Sequence, residues 1–213
     1  MDKPVIVVGA GGHAKVVIAA LQKQGATILG ILEAAVDKKK DSILGVAVIG
    51  DDDAVLRYEK EAILLVNGIG SIGSTQLRRN VFLKFKKWGY HFMVLIHPAA
   101  IVADDVALKE GSQVMAGAVI ETGTVIGVNA IVNTGATVNH DCLVEAHAHI
   151  APGVTLCGGV TIDEGAHIGA GSTLIQGMKI GKEAVVGAGA LVIKPVKEKQ
   201  VVYGNPAKEV KKI

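Results

Sequence analysis

Three of the seven histidines, His140, His147 and His149, lie within one ten-residue stretch that is otherwise rich in small and aliphatic side chains. His140 precedes Asp141, and this pairing suits general base catalysis, because an imidazole with a pKa near 6.5 can accept a proton at neutral pH. A nearby carboxylate can fix the tautomer of the ring and stabilise the imidazolium that forms. Adjacency in the sequence does not by itself bring Asp141 to the ring. Two other interpretations are a metal site and exposed residues of a repetitive scaffold.

The segment that must position these histidines repeats every six residues. From Ile101 to Val196 the chain divides into sixteen units, and the second position of every unit is Val, Ile or Leu. The position two residues before it is small in most units, as at Ala130, Ala136 and Cys142. A fixed short period of this kind is typical of a parallel β-helix, in which each coil stacks on the last and neighbouring coils pair as strands. The period therefore predicts one short strand and one turn per unit, with the aliphatic residue pointing inward.

This register gives each histidine a predicted direction. His140 and His147 fall in turns, whereas His149 and His167 directly precede an inward residue and should point outward, stacked one coil apart. His149 and His167 could therefore be two zinc ligands of a metal-dependent hydratase, and His147 of a neighbouring subunit is the candidate for the third protein ligand that a catalytic zinc needs. No group that would orient these rings is apparent around them. The alternative for His167 is an exposed residue on a coil face.

The first 95 residues follow a different pattern. The stretch "VIVVGAGGHA" is an apolar strand that leads through a glycine turn into a helix, and Gly9, Gly11 and Ala14 fit the dinucleotide fingerprint G-x-G-x-x-G/A. Acidic Glu33 follows about twenty residues later, as in that fingerprint. About 95 residues provide only half of a full dinucleotide fold, so the pattern favours a nucleoside diphosphate over NAD. A nicotinamide-dependent enzyme and a glycine turn that only packs the helix on the strand are the alternatives.

Other residues of the N-terminal segment could contact the same ligand. Gly68 and Gly70 follow another strand, and the carboxyl ends of parallel strands are where open α/β sheets bind ligands. His13 either touches the ligand or caps the helix that begins there. Arg78 and Arg79, early in the next predicted helix, either meet a phosphate or belong to a solvated helix face.

Composition narrows the classes of function. The chain has 22 basic and 20 acidic residues and a net charge of +2, which gives no footprint for nucleic acid, and the lysine run at 38–40 predicts a solvated loop. We expect neither a signal peptide nor a membrane span, because no apolar run is long enough. Cys142 and Cys157 are too few for a disulfide framework, and packing is the expected role of both. These features predict a cytoplasmic protein.

The order of four motifs resembles one family. The motifs are "VGAGGHAKVV", the hexapeptide repeats, "VNTGATVNHDCLVEAHAHIAPG" and "YGNPAK", and together they look like the bacterial sugar-nucleotide acetyltransferases of the PglD/NeuD type over essentially the whole chain. The resemblance implies a small Rossmann-like α/β domain that binds a nucleotide sugar over residues 1–95. It implies a left-handed parallel β-helix, the acyltransferase domain with its C-terminal tail, over residues 96–213. It also implies a homotrimer with active sites between adjacent β-helices.

The activity that the resemblance implies is acetyl-CoA-dependent N-acetylation of a nucleotide-linked amino sugar, without a metal. A UDP-4-amino-4,6-dideoxy sugar is the leading substrate. A GDP-linked amino sugar and O-acetylation of a sugar such as sialic acid are alternatives within the same class. A protein that binds a sugar nucleotide without catalysis is the alternative outside it.

The resemblance also assigns roles to residues. His140 matches the general base and Asp141 the acidic residue that orients it, where family members often carry Glu. Asn133 and His149 match further active-site positions that contact the substrates, and His149 would act from the neighbouring subunit. The positions that match contacts to the CoA arm are His149, Gly158, Ala170 and Ala188, and Gly158 would also donate a backbone N–H to the oxyanion. The positions that match the nucleotide end, together with the second glycine loop, are Gly9, Gly11, Gly12, His13, Glu33, Gly68 and Gly70.

Overall fold

The computed structural model of the chain describes residues 3–34 and 41–212. The lysine run at 38–40, for which the sequence predicts a solvated loop, lies outside the described residues. Within the described residues, neither helix has the length and apolar character needed to cross a membrane.

The N-terminal part is an α/β layer built on a central strand that is buried on both faces. Its elements are β1 (Val5–Val8), α1 (Gly12–Lys23), β2 (Ile28–Leu32), β3 (Ser42–Ile43), β4 (Val46–Gly50), a 3-10 helix (Asp52–Arg57), β5 (Leu64–Asn67) and α2 (Gln76–Lys87). The sheet order is β3-β4-β2-β1-β5, and the pairs β4-β2, β2-β1 and β1-β5 are parallel, as the apolar run of β1 predicts. Both glycine loops, after β1 and after β5, therefore lie at the same edge of the sheet.

The remainder is a left-handed β-helix whose strands follow the six-residue period. It begins with β6 (Leu95–Ile96). The sixteen strands that follow are β7 (Ile101–Val102), β8 (Ala107–Leu108), β9 (Gln113–Val114), β10 (Val119–Ile120), β11 (Val125–Ile126), β12 (Ile131–Val132), β13 (Thr137–Val138), β14 (Leu143–Val144), β15 (His149–Ile150), β16 (Thr155–Leu156), β17 (Thr161–Ile162), β18 (His167–Ile168), β19 (Thr173–Leu174), β20 (Lys179–Ile180), β21 (Val185–Val186) and β22 (Leu191–Val192). Each begins at the first residue of a unit, so the predicted β-helix is confirmed.

The strands form three sheets around one aliphatic core. The first, called here the groove sheet, has the order β24-β23-β21-β18-β15-β12-β9-β6, where β23 (Gln200–Tyr203) and β24 (Lys208–Lys212) come from the C-terminal tail. The second sheet has the order β22-β19-β16-β13-β10-β7 and the third β20-β17-β14-β11-β8. Turns between the second and third sheets form one corner, called the His140 corner. Turns from the third sheet into the groove sheet form another, called the docking corner.

A left-handed backbone conformation recurs at the fifth residue of every unit from Gly111 to Gly189. Ten of these fourteen residues are glycines, which adopt a positive φ without steric penalty. The four that are not are Asn129, Asp141, His147 and Glu183. A non-glycine residue in the left-handed conformation has a strained backbone, and it is found where contacts made by its side chain compensate for that strain. Asp141 lies at the His140 corner and the other three at the docking corner.

Helix α2 packs on the docking corner and fixes the N-terminal part to the β-helix. The ring of Phe82 lies 5.6 Å from that of His147, edge to face, and Phe82 also covers Gly111, where a Cβ would come within 2.9 Å of its ring. The hydroxyl of Thr75 donates to the carbonyl oxygen of Gly165 at 2.9 Å. The glycine loops are thereby held over the groove sheet.

Arg78 and Arg79 take part in this docking. Arg78 is 1% exposed, so the interpretation as a solvated helix face is wrong for this residue. Its guanidinium donates, at 2.7–3.1 Å, to the carbonyl oxygens of Asn67, Ile69 and Asn129. Arg79 forms ion pairs with Glu164 at 2.8 Å and Glu183 at 3.6 Å. Both arginines thus join the two parts of the chain, a role that neither alternative drawn from the sequence anticipated.

Candidate active site

A groove with a volume of about 1060 Å³ lies between the glycine loops and the groove sheet. Nine of the site residues proposed from the sequence line it: Gly11, Gly12, His13, Gly68, Gly70, Asn133, His149, Ala170 and Ala188. Its remaining walls are largely apolar, with Val16 and Leu77 on the helices and Val185 and Val186 on β21. The groove is therefore a long cleft with small residues on its floor and a few polar groups at one end.

Gly9 and Glu33 shape the first glycine loop from behind. Gly9 has a φ of +94°, and a Cβ at this position would overlap the side chain of Ile69 from the second loop. Glu33 accepts a hydrogen bond from the backbone N–H of Ala10 at 2.7 Å. In this structure Gly9 lets the two glycine loops pack closely, and Glu33 fixes the loop that precedes α1.

His13 joins the first glycine loop to the β-helix. Its Nε2 lies 2.8 Å from Oε1 of Gln113, and because an amide oxygen only accepts, Nε2 carries the proton. Gln113 in turn donates to the carbonyl oxygen of Asn67 at 2.8 Å. Burial, and then the positive charge of Arg78, lower the pKa of His13 to about 4. The ring is neutral at pH 7, and the helix-cap interpretation is wrong, because no side chain caps α1 at Gly11.

His149 forms the polar end of the groove floor. Its Nε2 lies 3.1 Å from Nδ2 of Asn133, which can only donate, so Nε2 accepts and Nδ1 carries the proton. Nδ1 lies 2.5 Å from the hydroxyl of Ser71, in the second glycine loop. Burial, followed by the nearby His167, His13 and Arg78, holds the pKa of His149 well below its usual value. His149 is therefore a neutral imidazole whose tautomer is set by residues from both parts of the chain. Ser71 belongs to the second glycine loop, which the sequence predicts as a wall of the ligand site, but its contact with His149 was not predicted.

His167 stacks on His149 as the register predicts, with ring centroids 5.1 Å apart and planes at 84°. It is not the exposed residue that the sequence suggested, since only 9% of its surface is accessible. The side chain points outward from its coil, but the N-terminal part lies over this sheet. Its Nδ1 is buried and has no hydrogen-bond partner among the described residues.

Within one chain, the three histidines of the hydratase alternative do not come together. His147 lies at the docking corner, where its Nδ1 is 3.0 Å from Nδ2 of Asn129 and its ring packs on Phe82. His149 and His167 lie on the groove sheet. Within residues 3–34 and 41–212, no three His, Cys, Asp or Glu side chains are grouped closely enough to hold a metal ion.

His140 and Asp141 form a hydrogen-bonded pair. Nδ1 of His140 lies 2.8 Å from Oδ2 of Asp141, so the carboxylate reaches the ring. A carboxylate only accepts, which places the proton on Nδ1 and leaves the lone pair of Nε2 available. The left-handed φ of Asp141, +58°, turns its side chain back towards the preceding residue. Both side chains are mostly exposed, at 63% and 71%, as a base that receives a proton from a substrate requires.

The pair and the groove lie on different sides of the β-helix. His140 stands in the turn between β13 and β14, at the His140 corner, whereas β15, β18 and β21 of the groove sheet floor the groove. In a three-sided coil this corner is opposite the groove sheet. Gly158 lies at the same corner as His140, one coil further on, and so does not line the groove of its own chain.

Two family models match the chain. The PglD N-terminal domain matches residues 4–85, and the six-repeat bacterial transferase hexapeptide model matches residues 141–176. Among proteins with curated descriptions, no match was found.

Several solved structures match over nearly the full length. PerB from Caulobacter crescentus, in complex with CoA and GDP-perosamine, is 38% identical, with 99% of each chain covered and a TM-score of 0.90. A histidine-to-alanine variant of the GDP-perosamine N-acetyltransferase from the same organism, with the same ligands, is 37% identical, covering 99% of this chain and 98% of that one, again with a TM-score of 0.90. The acetyltransferase domain of PglB from Neisseria gonorrhoeae, in complex with acetyl-CoA, is 35% identical, covering 99% and 100%, with a TM-score of 0.90.

Proposed function

This chain belongs to the PglD-type sugar-nucleotide N-acetyltransferases, and we propose that it transfers the acetyl group of acetyl-CoA to the amine of a nucleotide-linked sugar. The observation that carries the proposal is the 2.8 Å contact between His140 Nδ1 and Asp141 Oδ2, which leaves an exposed, correctly protonated imidazole free to act as a base. The groove supplies the second requirement, a long cleft in which two substrates could meet.

In the proposed reaction the sugar amine attacks the thioester carbonyl carbon. Nε2 of His140 removes a proton from the amine as the carbon–nitrogen bond forms, and Asp141 stabilises the imidazolium that results. The carbon–sulfur bond then breaks, and His140 returns the proton to the departing thiolate. Holding both substrates in one cleft supplies much of the rate by proximity.

The proposed role of each groove residue depends on where it lies along the groove. The first glycine loop, Gly11 and Gly12, begins helix α1, whose N-terminus favours a diphosphate. Asn133 and His149 lie at the polar end of the floor, where the acetyl group and the amine would meet. Ala170 and Ala188 leave room along the floor for the arm of acetyl-CoA.

The proposed active site needs a second copy of the chain. His140 and the groove of one chain lie on opposite sides of its β-helix, so a groove is completed by His140 of a neighbouring subunit. A cyclic trimer satisfies this requirement, because a head-to-tail interface that closes as a ring gives three identical sites. Gly158 accompanies His140 at the same corner and would present its backbone to the same substrate.

Two nucleotides remain candidates for the acceptor. The leading nucleotide from the sequence is UDP. Both matches from Caulobacter crescentus described above hold GDP-perosamine, so the GDP-linked alternative has as much support as the UDP-linked one. We therefore propose a nucleoside-diphosphate-linked amino sugar as the substrate class. The identity of its nucleobase is to be determined by experiment. A hydroxyl acceptor is the second outcome within the class.

A thiol-release assay tests this proposal. The protein is incubated with acetyl-CoA and a panel of UDP- and GDP-linked amino sugars, each paired with the corresponding hydroxy sugar, and CoA release is followed with the N-acetylated product identified by mass. We expect release with at least one amino sugar, and a loss of about two to four orders of magnitude in kcat for His140→Ala. No transfer to any member of the panel, or a His140→Ala variant with wild-type turnover, would contradict the proposal.

A further inference from the structure

Eleven of the sixteen units close their turns in the same way, ten of them at the docking corner and at the corner between the groove sheet and the second sheet, and one, ending at Val106, at the His140 corner. In each, the backbone N–H of the sixth residue of a unit donates to the carbonyl oxygen of the third, at 3.0–3.4 Å, as Ala136 does to Asn133. The turn that carries His140 is built differently. The N–H of Cys142 donates to Oγ1 of Thr124 at 3.3 Å, and that hydroxyl donates to the carbonyl oxygen of Asn139 at 3.1 Å. A side-chain hydroxyl from the preceding coil thus bridges the two ends of the turn.

Thr124 is the one threonine among the sixth residues of the sixteen units. It is the sixth residue of its unit, a place where most units carry Ala, Ser or Cys, and it is 1% exposed. A buried hydroxyl is unfavourable unless it is hydrogen-bonded. Here it both donates and accepts, and both partners flank the His140–Asp141 pair.

The rest of the turn is tied to the coils on either side. Asp141 donates its N–H to the carbonyl oxygen of Thr122 in the preceding coil at 3.0 Å, and the carbonyl of His140 accepts from Gly159 in the next coil at 2.9 Å. The side chain of Asn139 donates to the carbonyl oxygen of Leu156 at 2.8 Å. Each of these bonds fixes one backbone point, whereas the hydroxyl of Thr124 sets the separation between the two ends of the turn.

A second inserted side chain lies one coil further on. The thiol of Cys142 donates to the carbonyl oxygen of Cys157 at 3.3 Å, in the turn that carries Gly158. The turn that holds His140 and the turn against which its ring rests therefore both receive a polar side chain from the coil before. The turns of the other two corners, and the first turn of the His140 corner at Ala103–Val106, are closed by direct bonds, so the inserted groups distinguish the two turns that carry His140 and Gly158.

We propose that Thr124 is a positioning residue for the His140–Asp141 pair: its buried hydroxyl sets the width of the turn and thereby the direction of the imidazole. The inference rests on the proposed function, since it concerns how a general base is held in place. Thr124 lies beneath the turn and touches no substrate.

Kinetics of matched variants test the proposal in the full-length protein. Thr124→Val keeps the shape without the hydroxyl, Thr124→Ala removes the hydroxyl without adding volume, and Thr124→Ser keeps it. Ser112→Ala is the control, because Ser112 is an equally buried hydroxyl at the same sixth position of the docking corner. We expect Thr124→Val and Thr124→Ala to lower kcat about 10- to 100-fold with KM nearly unchanged, and Thr124→Ser and Ser112→Ala to stay near wild type.

A double variant separates positioning from a general loss of stability. If Thr124 acts through His140, Thr124→Val lowers kcat no further in a His140→Ala background. An equal fractional loss in both backgrounds, or a wild-type kcat for Thr124→Val, would overturn the proposal.

A readout without substrate keeps the inference distinct from the proposed function. Nitrogen NMR of the His140 ring should show the Nδ1–H tautomer in the wild type and a mixture of tautomers in Thr124→Val, with Thr124→Ser resembling the wild type. Unchanged ring signals in Thr124→Val would overturn the positioning role. Failure of the wild type to acetylate any amino sugar would instead overturn the proposed function, while the ring signals would still report on Thr124.

Discussion

The imidazole of His140 lies directly against Gly158 of the next coil, so that a Cβ on Gly158 would come within 2.6 Å of both Cε1 and Nε2 of the ring. Asp141 has the same relation to Gly123 of the preceding coil, where a Cβ would come within 2.5 Å of Oδ1. The pair is therefore flanked by two glycines, one in each neighbouring coil. At Gly158, space for the ring explains the glycine, because the backbone there is not in the left-handed region.

Gly158→Ala should therefore lower kcat about 10- to 100-fold, because the added methyl group displaces the imidazole of His140, which acts as the base. We expect the melting temperature to change little, since alanine can adopt this backbone conformation without strain. Steady-state kinetics and thermal unfolding measure the two effects separately. Wild-type turnover in a folded Gly158→Ala variant would show that the ring does not occupy this place during catalysis.

The charge of Asp141 can be separated from its size. Asp141→Asn keeps the shape and tolerates a positive φ, but it no longer stabilises the imidazolium that forms in the reaction. We expect kcat to fall about 10- to 100-fold, less than the roughly 10²- to 10⁴-fold that the general base itself contributes, because His140 is still present. Asp141→Glu restores the charge and should recover most of the activity. A wild-type kcat for Asp141→Asn would indicate that the carboxylate contributes through shape and not through charge.

Buried neutral histidines make stability depend on pH. Burial lowers the pKa of His13 and of His147 to about 4, in both cases with a positively charged arginine as the next cause, and burial lowers that of His149 and His167 as well. Between about pH 4 and 6.5 the unfolded chain therefore binds more protons than the folded one, and the free energy of unfolding falls as the pH falls through this window. Above about pH 6.5 these groups have no effect.

Urea unfolding at pH 7, 6, 5 and 4 measures this dependence. His147→Asn removes one of the four rings while keeping a residue that tolerates the left-handed φ of +62°. The variant should lose less stability than the wild type between pH 6.5 and 4, although it is less stable at pH 7. The same pH slope in both proteins would mean that His147 is not held neutral by the fold.

The repeat made the β-helix predictable from sequence because every coil offers its residues the same environment. Inward Val138, Val144 and Ile150 flank the histidines at six-residue intervals, and this alone fixed which of them lie in turns and which on strands. The reach of Asp141 to His140 could not be inferred, since it depends on a left-handed φ at a position where most coils have glycine.

Residues whose surroundings come from the other part of the chain were not predictable in the same way. The six-residue period correctly predicted that the side chain of His167 points outward from the coil. It carries no information about which sheet the N-terminal part covers, so it could not predict that the ring is buried. From the sequence, Arg78 is an ordinary basic residue of an amphipathic helix. Its burial against the docking corner is evident only in the structure. Thr124 left a detectable signal, because it carries the one hydroxyl among the sixth residues of the His140 corner, but the meaning of that hydroxyl required the geometry of the turn.

A mixed oligomer tests whether His140 and the groove of one active site come from different chains. Subunits with His140→Ala retain a groove, and subunits with Ala188→Trp retain His140 but carry an indole in the groove that Ala188 lines. Each variant alone should be inactive. Co-expressed in equal amounts, they should recover about a quarter of wild-type activity, because an intact groove meets an intact His140 at one interface in four. Ala188→Ser is the control for tolerance at that position. Light scattering after size-exclusion chromatography measures how many chains assemble, and three are expected. A mixture as inactive as its parents, with mixed oligomers present, would place His140 and the groove of each site in the same chain.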